Sequence, residues 1–171
     1  IYVWDKVKDY LSKAGTVIFV ASIVLWFVLN TGLSGFTDDV SQSFAAMVGR
    51  ILVPVLSPAG LGHWQIGVAL ISGLSAKEVV VSSFAVLFGI SNINSPDGMS
   101  ALGSALGMMG FGPVNAYALM IFCLLYSPCM AAVATIHRET GSWKWTIRNV
   151  GFQILVAGMG AVLVYQIGSR L

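Results

Sequence analysis

Charged side chains are scarce in this chain of 171 residues. Only 9% of the residues are Asp, Glu, Lys or Arg, whereas 57% are hydrophobic. Soluble domains carry roughly a quarter charged residues, so the chain lacks the polar surface that contact with water requires. The net charge of +2 is too small to indicate a nucleic-acid partner. The composition therefore excludes an ordinary soluble domain and predicts a membrane protein.

Sequence motifs of enzymes are also missing. There is no GxxxxGK[ST] phosphate loop and no nucleophile elbow. The two cysteines, Cys123 and Cys129, lie six residues apart and form neither a CxxC motif nor a disulfide framework. We therefore expect no enzyme and no resident cofactor. Because the chain begins with Ile1 and shows no cleavable signal pattern, we expect a fragment of a longer protein.

Four long apolar stretches are predicted to be membrane helices. Each is about long enough to cross roughly 30 Å of hydrocarbon at about 1.5 Å per residue. They cover residues 14 to about 33, 64–90, 114 to about 136, and about 149–167. The pattern predicts an all-α, polytopic helical bundle that forms a single membrane domain over residues 1–171, with 149–167 as its final transmembrane helix.

Two segments are predicted to lie at the membrane surface. Residues 1–13 contain three lysines among several aromatic residues, which is typical of an amphipathic lead-in on the cytoplasmic side. After the first stretch, Phe44, Met47 and Ile51 recur at helical spacing. This spacing predicts a short interfacial amphipathic helix, ended by Pro54 and Pro58.

The basic residues indicate that the second stretch is not a simple crossing. The segment 137–148 is rich in Arg and Lys and is predicted to be cytoplasmic, as is the N-terminus. Four alternating crossings would place that segment outside. The conflict disappears if the second stretch is re-entrant, or if a short extra crossing forms at about 99–111. The Gly- and Ser-rich connection over 91–116 is otherwise predicted to be flexible.

The second stretch contains two adjacent opposite charges, Lys77 and Glu78. Charged side chains at membrane depth usually face a protein interior or a wet cavity. Gly73 is a poor helix residue, and Ser75 to Glu78 fits the S-x-x-E capping box. The sequence therefore predicts a broken helix, with one half ending near Gly73 and Ser75 capping the next half, which runs to about Phe88.

Oxygen atoms are expected on one face of this second half-helix. Ser75, Glu78 and Ser82 share a narrow stripe at helical spacing and are candidate ligands for a metal cation. The alternative reading is structural: Glu78 only caps the half-helix, and Lys77 only packs against an acidic or carbonyl partner. Both readings keep the break at Gly73.

The third stretch carries a second predicted interruption. Pro128 cannot donate a hydrogen bond to the carbonyl four residues earlier, so the helix is expected to kink there. Cys129 follows directly, and a thiolate suits a borderline divalent metal such as Fe²⁺ or Zn²⁺. Cys129 is thus a candidate metal ligand, although a free cysteine is often only a small buried hydrophobe. His63 and His137 lie at predicted membrane boundaries and are expected to face headgroups or solvent.

Three segments in combination resemble a known family. "KAGTVIFVASIVLWFV", "GLSAKEVVVSSFAVLFG" and "LLYSPCMAAVATIHRETGSWKW" resemble the C-terminal membrane half of the FeoB ferrous iron transporters. The resemblance covers residues 7–167 approximately. It implies that about 15–134 is the second Gate region, which is also described as nucleoside-recognition-like.

The resemblance implies a function and a set of partners. The complete protein would be a multi-pass protein of the bacterial inner membrane, embedded in the lipid bilayer, that moves Fe²⁺ into the cell as its substrate. A cytosolic GTPase domain and a first Gate region would precede this chain, and a homo-oligomer is compatible with that design. Cys129 would lie on the metal path, with Glu78 as its companion.

Two other classes of function stay open. A Gate-type carrier for nucleosides or another small solute would use Lys77 and Glu78 to bind polar groups of the solute. A structural module would use the broken helix only to pack against a partner subunit.

Cysteine labelling tests the predicted orientation. In the full-length protein, a Gly141→Cys variant should react with a membrane-impermeant maleimide only from the cytoplasmic side, because the surrounding segment is basic. Ser91→Cys and Asn94→Cys should react from the outside if the second stretch re-enters, and from the cytoplasm if an extra crossing follows. Labelling of Gly141→Cys from the outside alone would overturn the orientation.

Overall fold

The structure, a computed structural model, describes residues 2–33, 35–37, 39–75, 79–126 and 129–170. These residues form eight α-helices and one two-stranded antiparallel hairpin. The helices are α1 (Tyr2–Asn30), α2 (Phe44–Leu56), α3 (Trp64–Ser72), α4 (Val79–Leu87), α5 (Pro96–Met108), α6 (Pro113–Leu125), α7 (Met130–Thr140) and α8 (Trp143–Gly168). The hairpin pairs Thr31–Gly32 (β1) with Gly35–Phe36 (β2) and is a small exception to the predicted all-helical fold.

Within the described residues, two helical ranges are long and apolar enough to cross a membrane. They are Pro113–Thr140, with a mean hydropathy of 2.1, and Trp143–Gly168, with 1.8; the first includes residues 127 and 128, which lie outside the description. The segments Phe44–Ala59 and Trp64–Ser72 meet at a bend of 105° and would add a third range only if the bent pair forms one span. The chain is therefore built as an integral membrane protein.

Two predicted boundaries at the N-terminal end are wrong. The lead-in and the first apolar stretch form the single helix α1, which ends at Asn30 because the chain then enters the β hairpin. Pro54 and Pro58 were together predicted to end α2; the helix continues through Pro54 and ends at Leu56, two residues before Pro58. A proline removes only one backbone bond, that to the residue four positions earlier, and two further residues complete the last turn. A 3₁₀ turn at Ser57–Ala59 follows.

The predicted flexible connection is also largely helical. Ser95 caps α5, since its hydroxyl accepts a hydrogen bond from the Gly98 N–H at 3.0 Å, and Pro96 occupies the first helical position. The basic segment predicted as a loop at 137–148 shortens to Gly141 and Ser142, because α7 and α8 extend into it from either side. Gly141 has φ of 61°, a left-handed conformation that ends α7.

Helix α2 turns its large apolar side chains away from the protein. Phe44 is 37% exposed and Ile51 is 71% exposed, whereas Ala45, Ala46 and Gly49 are buried. The stripe predicted from spacing is thus the face available to lipid, and the small residues form the packing face. Small residues are typical of helix interfaces in membranes, because lipid already solvates the large apolar side chains.

A polar cluster lies at the start of α2. Asp39 accepts a hydrogen bond from the Ser41 N–H at 3.0 Å, and this bond holds the pKa of the Asp39 carboxyl below its usual value. The Arg50 guanidinium donates to the Ser41 carbonyl at 3.2 Å and lies 5.9 Å from the centre of the Trp64 ring. These contacts tie the segment before α2 to the start of α3.

Helices α6 and α8 pack as an antiparallel pair through small residues. Ala118 on α6 and Ala157 and Ala161 on α8 are fully buried. A Cβ placed on Gly160 would lie 3.1 Å from the Leu125 Cδ1 atom, and one on Gly168 would lie 2.7 Å from a Val114 methyl group. Because Gly160 and Gly168 have no side chains, the two helices can approach closely.

Side-chain amides attach this pair to the turn after α2. Asn115 on α6 donates to the Gly60 carbonyl at 2.7 Å, and Gln166 on α8 donates to the Pro58 carbonyl at 3.3 Å. Both bonds satisfy carbonyl groups of an irregular segment, which hydrocarbon alone would leave unpaired. They fix the bend between α2 and α3 against the two long helices.

The crossing of α2 and α3 yields a testable prediction. A Cβ on Gly67 would lie 2.7 Å from the Gly49 Cα atom, so Gly67→Ala forces two backbones apart. We expect a loss of roughly 1–3 kcal/mol in stability, visible as a lower thermal unfolding midpoint of the full-length protein in detergent. Gly103→Ala is the matched control, since a Cβ there meets no atom of the described chain within 4 Å. Equal midpoints for the two variants would contradict this account of the packing.

Candidate functional site

The first helix break is present where the sequence predicts it. Helix α3 ends at Ser72, and Gly73 is its C-terminal cap. A tight turn follows, in which the Ser75 N–H donates to the Ser72 carbonyl at 3.2 Å and the Ser75 hydroxyl donates to the same oxygen at 2.8 Å. Helix α4 begins at Val79. The predicted interruption near Gly73 is therefore confirmed.

Gly73 is required by its neighbours rather than by its own backbone angles, since its φ is −65°. A Cβ at this position would collide with a Val80 methyl group and would lie 2.6 Å from the Tyr126 hydroxyl oxygen. Gly73 is buried. The missing side chain thus allows α4 and the end of α6 to close onto the first break.

The second break separates α6 from α7. Helix α6 ends at Leu125, and Tyr126 is extended with ψ of 171°. Cys129 is also extended, with ψ of 162°, and α7 begins at the next residue. The Cys129 carbonyl accepts hydrogen bonds from the N–H groups of Ala132 at 2.8 Å and Val133 at 3.1 Å. The chain is therefore interrupted here rather than merely bent.

One backbone hydrogen bond joins the two breaks. The Met130 N–H, at the start of α7, donates to the Leu74 carbonyl, in the turn after α3, at 2.8 Å. Each break thus supplies a polar group that the other needs. This bond places Cys129 directly beside the turn that contains Ser75.

The cysteines at the second break differ in their surroundings. Cys129 is a free, partly exposed thiol at the position that caps α7. Cys123 packs against the main hydrophobic core from within α6. Tyr126 lies between them in sequence and is buried. Only Cys129 of the two occupies an interruption in the helix.

Three of the predicted site residues, Glu78, Lys77 and Pro128, lie outside the described residues, and so does the capping box that Glu78 would complete. Ser75 lines a largely apolar cavity of about 470 Å³ between α1 and the breaks, which also borders Met130. Ser82 lines a different cavity of about 260 Å³. Ser75 and Ser82 thus line different cavities, and the stripe that they would form with Glu78 stays a prediction.

No ready-made metal cage is found in the described ranges. They contain no group of three or more His, Cys, Asp or Glu side chains close enough to hold one ion. His63 precedes α3, and the His137 ring stacks on Trp143 with 3.9 Å between ring centres. A metal passing Cys129 would thus need further ligands from the undescribed residues or from another part of the protein.

Several residues at the breaks were not predicted from the sequence. The partnership of Leu74 and Met130 involves backbone atoms only, so no side-chain pattern reveals it. Ser72 was also missed, although a serine directly before Gly73 in an apolar helix is a visible signal. Its side chain is 1% exposed, and its hydroxyl has no hydrogen-bond partner among the described residues.

Comparison with known proteins identifies the family. Residues 11–143 match the Gate family, described as nucleoside recognition. The Fe(2+) transporter FeoB of Staphylococcus aureus (strain COL) is 40% identical over 96% of this chain, and that of Methanocaldococcus jannaschii is 37% identical over 98%. An Fe(2+) transport protein A/Fe(2+) transporter FeoB fusion protein of Porphyromonas gingivalis is 30% identical over 98%.

The chain spans only about a quarter of the length of these relatives, 24% to 25%. No solved structure matches it. Because the family match extends over well above half of its residues, the chain belongs to the Gate family, and it resembles the FeoB transporters over nearly its whole length.

Proposed function

We propose that this chain is a membrane segment of a ferrous iron transporter and that Fe²⁺ passes where the two helix breaks meet. The observation that carries the proposal is the hydrogen bond from the Met130 N–H to the Leu74 carbonyl, which sets Cys129 beside the first break. Interrupted helices are a common way for transporters to offer polar groups at membrane depth. The names of the matching relatives, Fe(2+) transporters, support the choice of cargo.

Cys129 suits this cargo chemically. A thiolate binds Fe²⁺ better than it binds hard cations such as Mg²⁺. Its negative charge also offsets part of the free energy needed to move a dication into a region of low dielectric constant. Glu78 would add a carboxylate, while Ser75 and Ser82 would contribute weaker neutral oxygens. Lys77, Gly73 and Pro128 would shape the path rather than bind the metal.

The remainder of the transporter completes the path in this proposal. A cytosolic GTPase and a first Gate region, in parts of the protein N-terminal to this chain, would provide coupling and further ligands. The whole would cross the bacterial inner membrane several times. The second stretch would re-enter rather than cross, and α2 would lie at the membrane surface.

Substitution of the two cysteines separates a metal ligand from a packing residue. In cells that depend on the full-length transporter, Cys129→Ser should lower uptake of radioactive Fe²⁺ by at least about tenfold, because a hydroxyl is a poor substitute for a thiolate ligand. The control is Cys123→Ser in α6, six residues earlier, which should transport Fe²⁺ nearly as well as the unmodified protein does. Glu78→Gln should resemble Cys129→Ser.

Protein amounts in isolated membranes must match in all variants, as judged by immunoblot. Wild-type uptake by both Cys129→Ser and Glu78→Gln would refute the site. Inhibition of uptake by excess nucleoside, but not by excess Mn²⁺ or Zn²⁺, would favour the carrier alternative. Normal transport together with poor assembly would favour the structural module.

Gly73 tests whether the closeness of the two breaks matters. We expect Gly73→Ala to push Val80 and Tyr126 away from the first break and to lower stability by roughly 1–3 kcal/mol. Iron uptake per molecule should fall with it. Combining it with Val80→Ala removes the nearer obstructing methyl groups and should restore part of both quantities. Unchanged stability and uptake in Gly73→Ala would show that the contact is dispensable.

A further inference from the structure

A second, more polar cavity lies on the other side of α3. It has a volume of about 260 Å³ and is enclosed by the end of α1, by α3 and by α4. Four polar side chains line it among aliphatic ones: Asn30, Ser72, Ser82 and Ser83. Three different helices therefore contribute hydrogen-bonding groups to a single space within an otherwise apolar domain.

Ser72 needs a partner that the described chain does not provide. Its side chain is 1% exposed, and its hydroxyl oxygen makes no hydrogen bond within the described residues. Its carbonyl is already occupied by the N–H and the hydroxyl of Ser75. A buried hydroxyl without a partner is strongly unfavourable, so ordered water is the expected solution where space allows.

The cavity has both the space and the polar groups that water requires. At roughly 30 Å³ per molecule, its volume could hold on the order of eight waters. The Asn30 amide N–H group donates to the Trp26 carbonyl at 2.9 Å, which leaves the amide oxygen to accept a bond from solvent. Ser82 is exposed, Ser83 is partly buried and Ser72 is buried, so exposure decreases stepwise among the three serines of the lining.

Helix ends of both polarities border the cavity. Asn30 is the last residue of α1 and Ser72 is the last residue of α3, whereas α4 begins at Val79 and the 3₁₀ turn Val40–Gln42 begins at Val40. The described lining contains no carboxylate, imidazole or thiol, so its polar groups are hydrogen-bonding partners for water rather than ligands that bind an ion tightly.

We propose that this cavity is an aqueous chamber that admits water beside the first helix break. It differs from the cavity of about 470 Å³ near Met130, whose described lining is apolar apart from Thr16 and Ser75. The inference does not depend on which substrate the protein carries.

Thiol labelling of the full-length protein in membrane vesicles tests the proposal. Ser83→Cys should react with 2-(trimethylammonium)ethyl methanethiosulfonate at least about tenfold faster than Ser22→Cys, because a thiol ionises and reacts readily only where water reaches it. Ser22 is the matched control: it is an exposed serine on α1 that donates to the Ile18 carbonyl and does not line this cavity. Mass spectrometry of the peptides reads each cysteine separately.

Equal labelling rates at Ser83→Cys and Ser22→Cys would exclude the aqueous chamber and overturn the proposal. Because no iron is present, the result stands apart from the uptake measurements, and either proposal can fail without the other.

The hydroxyl of Ser72 is tested by an isosteric pair. Combined with Ser83→Cys, Ser72→Val should slow labelling because it replaces the water-binding hydroxyl by a methyl group. Ser72→Thr has nearly the same volume but keeps the hydroxyl, and it should leave the rate much closer to that of the parent variant. If both substitutions slow labelling equally, volume alone matters and the role assigned to Ser72 is wrong.

Discussion

The backbone hydrogen bond between Met130 and Leu74 is the interaction on which the architecture of the breaks depends. Hydrocarbon offers no partner to an open N–H or carbonyl group, so an interrupted helix is tolerated in a membrane only if its ends are satisfied by protein or water. Here the donor at the start of α7 and the acceptor after α3 satisfy each other. Two interruptions placed side by side are therefore more favourable than either would be alone.

Such a pairing demands that the helices approach closely, and small residues make this possible. Gly73 leaves room for Val80 and the Tyr126 hydroxyl at the breaks. Away from them, Gly49 and Gly67 bring α2 and α3 into backbone contact, and Ala157 and Ala161 are fully buried where α8 packs on α6. Large apolar side chains such as Ile51 are left on the outside, where lipid solvates them equally well. The positions of glycine and alanine thus determine where the helices of this domain pack closely.

This explains which features the sequence could reveal. The break at Gly73 was predictable, because a glycine followed by a capping pattern carries a local signal. The interruption beside Cys129 also had a local signal in the proline that precedes it. Pro54 misled because a proline near the end of a helix removes only one hydrogen bond, and the remaining turn closes without it. The joining of the two breaks had no signal, since backbone atoms are the same in every residue. The stripe of Ser75, Glu78 and Ser82 stays a prediction, because Glu78 lies outside the described residues.

The proposed path would offer few ligands to the ion. A closed shell of charged ligands would hold a dication tightly, whereas conduction requires a site that an ion can leave as well as enter. If Cys129 binds Fe²⁺ as proposed, one thiol next to carbonyl groups that are already hydrogen-bonded would give a weak and incomplete site. Because the chain spans only about a quarter of the length of its relatives, the rest of the transporter would be needed to complete such a site. Ion affinity would then change whenever the two parts move against each other, which is the property that an alternating pathway requires.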